Sequence, residues 1–125
     1  MPVKPGEPHE LGKSGEALAA ELLATRAWTI LARNYRFGHK EIDLIARQGN
    51  VVAFVEVKTR AGRGYGHPLE AVHRLKRREI QTVARSWIAR NGRPGDVYRF
   101  DAVAVVWEGS GPPVVEHIPD AWRSG

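Results

Sequence analysis

The sequence contains no cysteine, which excludes disulfides, thiolate metal sites and zinc ribbons and suits a cytosolic protein that needs no oxidative staple. Histidine is present but not in metal-binding order. The five histidines, at 9, 39, 67, 73 and 117, form no i, i+4 pair and no H-E-x-x-H, so a zinc hydrolase is not expected. No stretch reaches the roughly 18 apolar residues of a membrane span, and "MPVKPGEPHELGKSGE" at the start lacks the apolar centre of a signal peptide. A soluble, cytoplasmic chain without membrane association is the expectation. Acidic residues are in deficit, 14 against 19 Lys and Arg, for a formal charge of +5 and a pI near 10.0. That balance favours a polyanionic partner, nucleic acid or anionic lipid.

A chain of 125 residues is one domain by length. Residues 1–10 hold three of the eight prolines and read as a flexible arm ahead of a single domain over 11–122. From Leu11 to Arg26 the positions Leu11, Gly15, Leu18, Ala19, Leu22 and Leu23 follow helical spacing. "WTILARNYR", 28–36, reads as a strand and Gly38 breaks the chain after it. Two strands follow, Glu41–Arg47 and Val51–Thr59. With Gly49 and Asn50 at the centre of a two-residue hairpin turn, Gln48 and Val51 become the closing pair. Pro68 suits the first position of a long helix that runs to about Arg90 and stops at Asn91 and Gly92. Its apolar stripe is Val72, Ile80, Val83, Ala84 and Trp87, with Lys76 on the same stripe. Val97–Trp107 reads as a strand, "EGSGPP" as a turn, and "VVEHI" as a short edge strand. The expected order is αβββαββ.

The hairpin register has a chemical consequence. Continued from its turn, it sets Asp43 opposite Glu56 and Glu41 opposite Lys58, all on one face by the period-two rule. Facing carboxylates repel and lose solvation as the core forms around them. Three remedies are open: a raised carboxyl pKa, pairing with a cation such as Lys58, or a divalent metal. Asp43, Glu56 and the backbone carbonyl of Val57 would make a hard-oxygen site that suits magnesium or manganese. Carboxylate-held metal, a lysine two residues along and a basic surface are the components of phosphodiester hydrolysis, in which Lys58 would orient water or neutralise charge. The competing reading is a partly buried ion-pair cluster at a sheet edge, in which Glu41 and Lys58 form an ordinary cross-strand pair.

"EIDLIA" followed by "FVEVKTR" resembles the YraN-like uncharacterised bacterial protein family of the PD-(D/E)XK nuclease superfamily, which has a restriction-endonuclease-like fold and includes Holliday junction resolvases. "GKSGEALAAELL" (12–23), "NYR" (34–36), "AVHRLKRREI" (71–80), "RFD" (99–101) and "HIPDAW" (117–122) are similar to further signatures of that family. The resemblance spans about residues 12–122. It implies a mixed α/β sheet of about five strands flanked by helices, with Asp43 and Glu56 as the motif acids and Lys58 as the motif lysine. It further implies that Glu16 reaches the metal. Ile42 stands where the superfamily name has proline, and Lys40 where family members carry glycine.

Arg36, Arg60, Arg63, Arg74, Arg77 and Arg78 are the candidates for phosphate contacts, which supply affinity rather than sequence preference. Arg74 and Arg78 are equally spaced as a solvated helix face would be. Lys76 would either reach phosphate or snorkel to solvent. "GRGYG" (62–66) matches no phosphate-loop pattern and reads as a loop at the mouth of the site, where Tyr65 could stack on an unpaired base. Asp101 opens an apolar strand two residues after Arg99, and an internal ion pair between them is expected. The reading favoured is a metal-dependent nuclease or nuclease-like protein acting on DNA, structured or branched, with a two-fold dimer suited to a branched substrate. A non-catalytic nucleic-acid-binding module that keeps the fold is the alternative.

Overall fold

The computed structural model describes residues 8–61 and 74–123, with side chains from Gly15 onward in the first stretch and from Leu75 onward in the second. The elements are α1 (Pro8–Thr25), β1 (Thr29–Phe37), β2 (Lys40–Gln48), β3 (Val51–Ala61), α2 (Arg74–Asn91), β4 (Val97–Trp107) and β5 (Val114–Trp122). This is the expected αβββαββ order. Among the described residues no helix is long and apolar enough to cross a membrane. Residues 1–7 of the expected arm, Tyr65 and the 62–66 loop, Pro68 and Val72 lie outside the described residues.

α1 starts at Pro8, three residues ahead of the expected Leu11; proline at a first helical position gives up only an N–H that would lack an intrahelical partner anyway. Its end is set by Ala27, whose φ of 67° turns the chain while the N–H groups of Arg26 and Trp28 both bond the Leu23 carbonyl at 3.0 Å. A left-handed residue of this kind is a common helix stop. It drops Trp28 into the core, 8% exposed. α2 ends at Asn91, as expected, with the Gly92 N–H on the Ile88 carbonyl at 2.8 Å.

The five strands form one sheet in chain order, β1-β2-β3-β4-β5. Adjacent strands are antiparallel except β3 and β4, which are parallel, a pairing that needs a crossover connection, here one that includes α2. β3 alternates between two cores. Ala53 and Val55 face α1, together with Leu44, Ala46, Val103 and Val105. Val52 and Phe54 face α2 and meet Ile80, Val83, Ala84 and Trp87, the described part of the expected stripe. Burial on both faces is why this strand reads as an almost unbroken apolar run. The Phe54 ring lies 5.8 Å from Trp87, 6.0 Å from Tyr98 and 5.8 Å from Phe100 between centroids. Each such ring pair adds roughly 0.5–1.5 kcal/mol beyond area burial.

β5 is longer than the expected "VVEHI", running on to Trp122. Pro119 and the left-handed Asp120, φ 50°, interrupt the ladder between Phe100↔Trp122 and Ala102↔Ile118. Edge position and a bulge are both circumstances in which a strand tolerates proline.

Candidate metal centre

The hairpin turn closes with Gln48↔Val51, and the ladder continues through Arg47↔Val52, Ala46↔Ala53 and Ile45↔Phe54 to Leu44↔Val55. This is the expected register, and it stops one rung short of Asp43 and Glu56. In place of that rung, Asp43 Oδ2 accepts the Val57 N–H at 2.7 Å. A carboxylate here substitutes for backbone, so it lies in the opening where β2 and β3 separate.

The opening begins with a break in alternation. Ile42 and Ile45 both pack on the α2 side although Leu44 packs on the α1 side, and two residues three apart cannot share a face in a regular strand. On β1, Arg33↔Leu44 and Tyr35↔Ile42 are paired, with Asn34 and Asp43 left between them. Asn34 has φ 50°, a left-handed conformation that asparagine adopts more readily than most residues.

The four charges expected on one face are therefore divided. Glu41, opposite in direction to Ile42, joins Glu16 of α1: Asn34 Nδ2 donates to Glu16 Oε2 and to Glu41 Oε1, each at 3.0 Å. The expected Glu41–Lys58 pair does not form, because the ladder ends before it. Glu41 Oε2 takes the Arg36 Nε at 2.9 Å instead. Glu56 lies on the α2 side with a side chain only 6% exposed. Its Oε1 is 3.4 Å from Lys58 Nζ and 3.7 Å from Lys76 Nζ of α2. Its Oε2 is buried and has no hydrogen-bond partner among the described residues. Glu16, Glu41 and Asp43 each offer an oxygen within 4.8 Å of the others.

Burial pushes the Asp43 carboxyl up to about 8, helped by the charges of Glu56 and Glu16 and opposed by the Val57 N–H and Lys76. Without a further cation, Asp43 thus holds a proton near neutral pH. Two of the three expected remedies for facing carboxylates, protonation and lysine pairing, coexist here.

Close approach of α1 brings Glu16 in. A Cβ on Gly15 would collide with Thr59 Oγ1 of β3 and sit 3.2 Å from Thr59 Cβ. Only glycine lets the helix lie this near the strand.

The arginines expected to contact phosphate are placed differently from one another. Arg36 is 72% exposed and bonded to Glu41. Arg60 is half-buried, with Nε buried and without a hydrogen-bond partner among the described residues. Arg77 lies over the Trp122 ring, 5.6 Å from its centroid, and Arg78 is exposed. Arg63 and the Arg74 side chain lie outside the described residues. On the α1 side, Asp101 is fully buried and bonded to Arg99 at 2.8 and 2.9 Å, the expected pair. The 2.7 Å contact to His117 Nε2 and the 2.9 Å bond from the Asp120 N–H were not expected. Burial raises the Asp101 carboxyl, but His117, Arg99 and the Asp120 N–H outweigh it and hold the group below its ordinary value.

Asn34 is the residue at this centre that site reading from the sequence passed over. Its signal was an asparagine inside a strand, a residue type depleted there and suited to left-handed backbone.

Comparison with known proteins gives a consistent family result. The model of the uncharacterised protein family UPF0102 matches residues 15–105. The chain is 44% identical over 113 residues to a UPF0102 protein of Nocardia farcinica, covering 90% of this chain and 89% of that one. It is 47% identical over 113 residues to one of Rhodococcus jostii, covering 90% and 95%. A UPF0102 protein of Chloroherpeton thalassium is 48% identical over 99 residues, covering 79% and 77%.

Proposed function

The chain belongs to the uncharacterised UPF0102 family, a membership that assigns no activity, and we propose from its site that it is a metal-dependent nuclease-like protein that hydrolyses phosphodiester bonds in DNA. The observation that carries this reading is Glu56: a carboxylate 95% buried, with one oxygen on two lysines and the other without a partner among the described residues, beside a second carboxylate that burial and repulsion keep protonated. Such a group is costly unless a cation completes it.

The residues fit a hard divalent cation. Every candidate side-chain donor is a carboxylate oxygen, the preference of magnesium and manganese, and the unpaired Glu56 oxygen remains available. Asp43 and Glu56 would hold the ion with Glu16 and the Val57 carbonyl, and the ion would supply Lewis acidity toward a phosphoryl oxygen. Glu41, bonded to Asn34 beside Glu16, is a further donor at that centre. Lys58, 3.4 Å from Glu56, presents a compact positive charge that can meet a phosphate oxygen. Lys76 adds a second ammonium group from the opposite layer. The PD-(D/E)XK character of "EIDLIA" and "FVEVKTR" belongs to this same reading, as does the assignment of Arg60, Arg77 and Arg78 to the phosphate backbone.

The test is a panel of branched DNA, duplex, single-stranded DNA and RNA incubated with manganese, magnesium or EDTA. Metal-dependent cleavage of DNA that disappears in folded Asp43→Asn and Lys58→Ala proteins is the expected result. Cleavage that survives both substitutions refutes the assignment. Salt-sensitive binding that persists in EDTA, with no cleavage of any substrate, establishes the non-catalytic binding module instead.

A further inference from the structure

Among the described residues, Asn34 is the one side chain that hydrogen-bonds two members of the acidic centre at once. Its amide nitrogen carries two hydrogens, and the geometry gives one to each carboxylate, Glu16 Oε2 and Glu41 Oε1, both at 3.0 Å. Through this amide three elements, α1, β1 and β2, are joined at the point where the β1–β2 ladder is interrupted. The strand spends a left-handed residue to place it there.

We propose that Asn34 is a positioning residue that sets the spacing of Glu16 and Glu41 for a divalent cation, an inference that rests on the metal-dependent reading above. The chemistry explains why an amide occupies the position. Two carboxylates with oxygens within 4.8 Å of each other and of Asp43 repel and separate unless donors hold them. A lysine or arginine would hold them too, but its charge would cancel the negative potential that attracts the ion. An amide bonds both and leaves their charge intact. Arg36, which also touches Glu41, is 72% exposed and solvent screens it, so it does not replace the amide.

The test uses the full-length chain and manganese as the probe, titrated by calorimetry, with thermal unfolding in EDTA alongside. Asn34→Gly removes both donors and retains a residue for which the left-handed backbone carries no steric cost. Manganese binding by the wild type should weaken about 10-fold in Asn34→Gly, the scale typical when a partner of a metal ligand is removed, while the EDTA melting temperature stays unchanged. In a Glu16→Gln, Glu41→Gln background the same substitution should have no further effect on manganese affinity. Equal affinity of wild type and Asn34→Gly overturns the positioning role and leaves the metal reading standing. A lowered EDTA melting temperature in Asn34→Gly would make the residue structural and overturn it as well. Absence of manganese binding by the wild type refutes the metal reading and this inference together.

Discussion

Substituting Gly15 by alanine sets two known effects against each other within one contact. Glycine inside a helix costs about 1 kcal/mol relative to alanine, so on propensity alone Gly15→Ala should stabilise α1. The new Cβ, however, would collide with Thr59 Oγ1 and lie 3.2 Å from Thr59 Cβ and 3.4 Å from Cγ2. Forcing a methyl group into a closed contact costs roughly 1–3 kcal/mol. The balance is a net loss of up to about 2 kcal/mol, and at about 4 °C per kcal/mol for a domain of this size the melting temperature should fall by several degrees. Urea denaturation and thermal melts measure it directly. The decisive comparison is a double-mutant cycle with Thr59→Ala, which removes Oγ1 and Cγ2. In that background Gly15→Ala should become neutral or stabilising, a coupling of about 1–2 kcal/mol. Stabilisation by Gly15→Ala alone, or an identical penalty in both backgrounds, would refute the close approach of α1 to β3.

The acidic groups supply two further predictions. Asp43 ionises at 3.8 when unperturbed and at about 8 in the folded chain, so the folded state retains a proton that the unfolded state gives up. Stability is then lost as pH rises from about 4 to 8 and levels off above that. Melts in EDTA should show Asp43→Asn gaining on the wild type across this window, and a pH-independent difference between the two would sink the reasoning. Asp101→Asn trades one carboxylate oxygen for an N–H that must face Arg99, His117 or the Asp120 N–H. Because Asp101 is fully buried, the loss should be in the range of about 3–5 kcal/mol seen when a buried ion pair is broken. A urea denaturation difference below about 1 kcal/mol would show that the network is not as bonded as drawn.

Much of the architecture was legible because it is local. The turn at Gly49 and Asn50 fixed the β2–β3 register, and the spacing of Ile80, Val83, Ala84 and Trp87 fixed which side of α2 meets the sheet. The site was legible as a set of residues but not as a shape. Period two places Glu41, Asp43, Glu56 and Lys58 on one face, and the break at Asp43 arises only when β1 and β2 are paired and Asn34 adopts its left-handed φ. No pattern within β2 alone carries that information. Likewise the Arg99–Asp101 pair is two residues apart and was readable. His117 and the Asp120 N–H come from a neighbouring strand whose extension through Pro119 contradicts what proline ordinarily signals inside a strand.

The position of the acidic centre in the chain has a consequence for how it is made. Glu16, Glu41, Asp43 and Glu56 all precede α2, and the elements that carry them, α1 and the β1–β2–β3 meander, join through short connections. Contacts of that kind form early, whereas parallel pairing of β4 with β3 must wait for the crossover through α2 to close. A chain emerging from the ribosome therefore exposes its full set of carboxylates before Lys76 has been positioned against Glu56. During that interval the acids face one another with less compensating charge than in the finished protein.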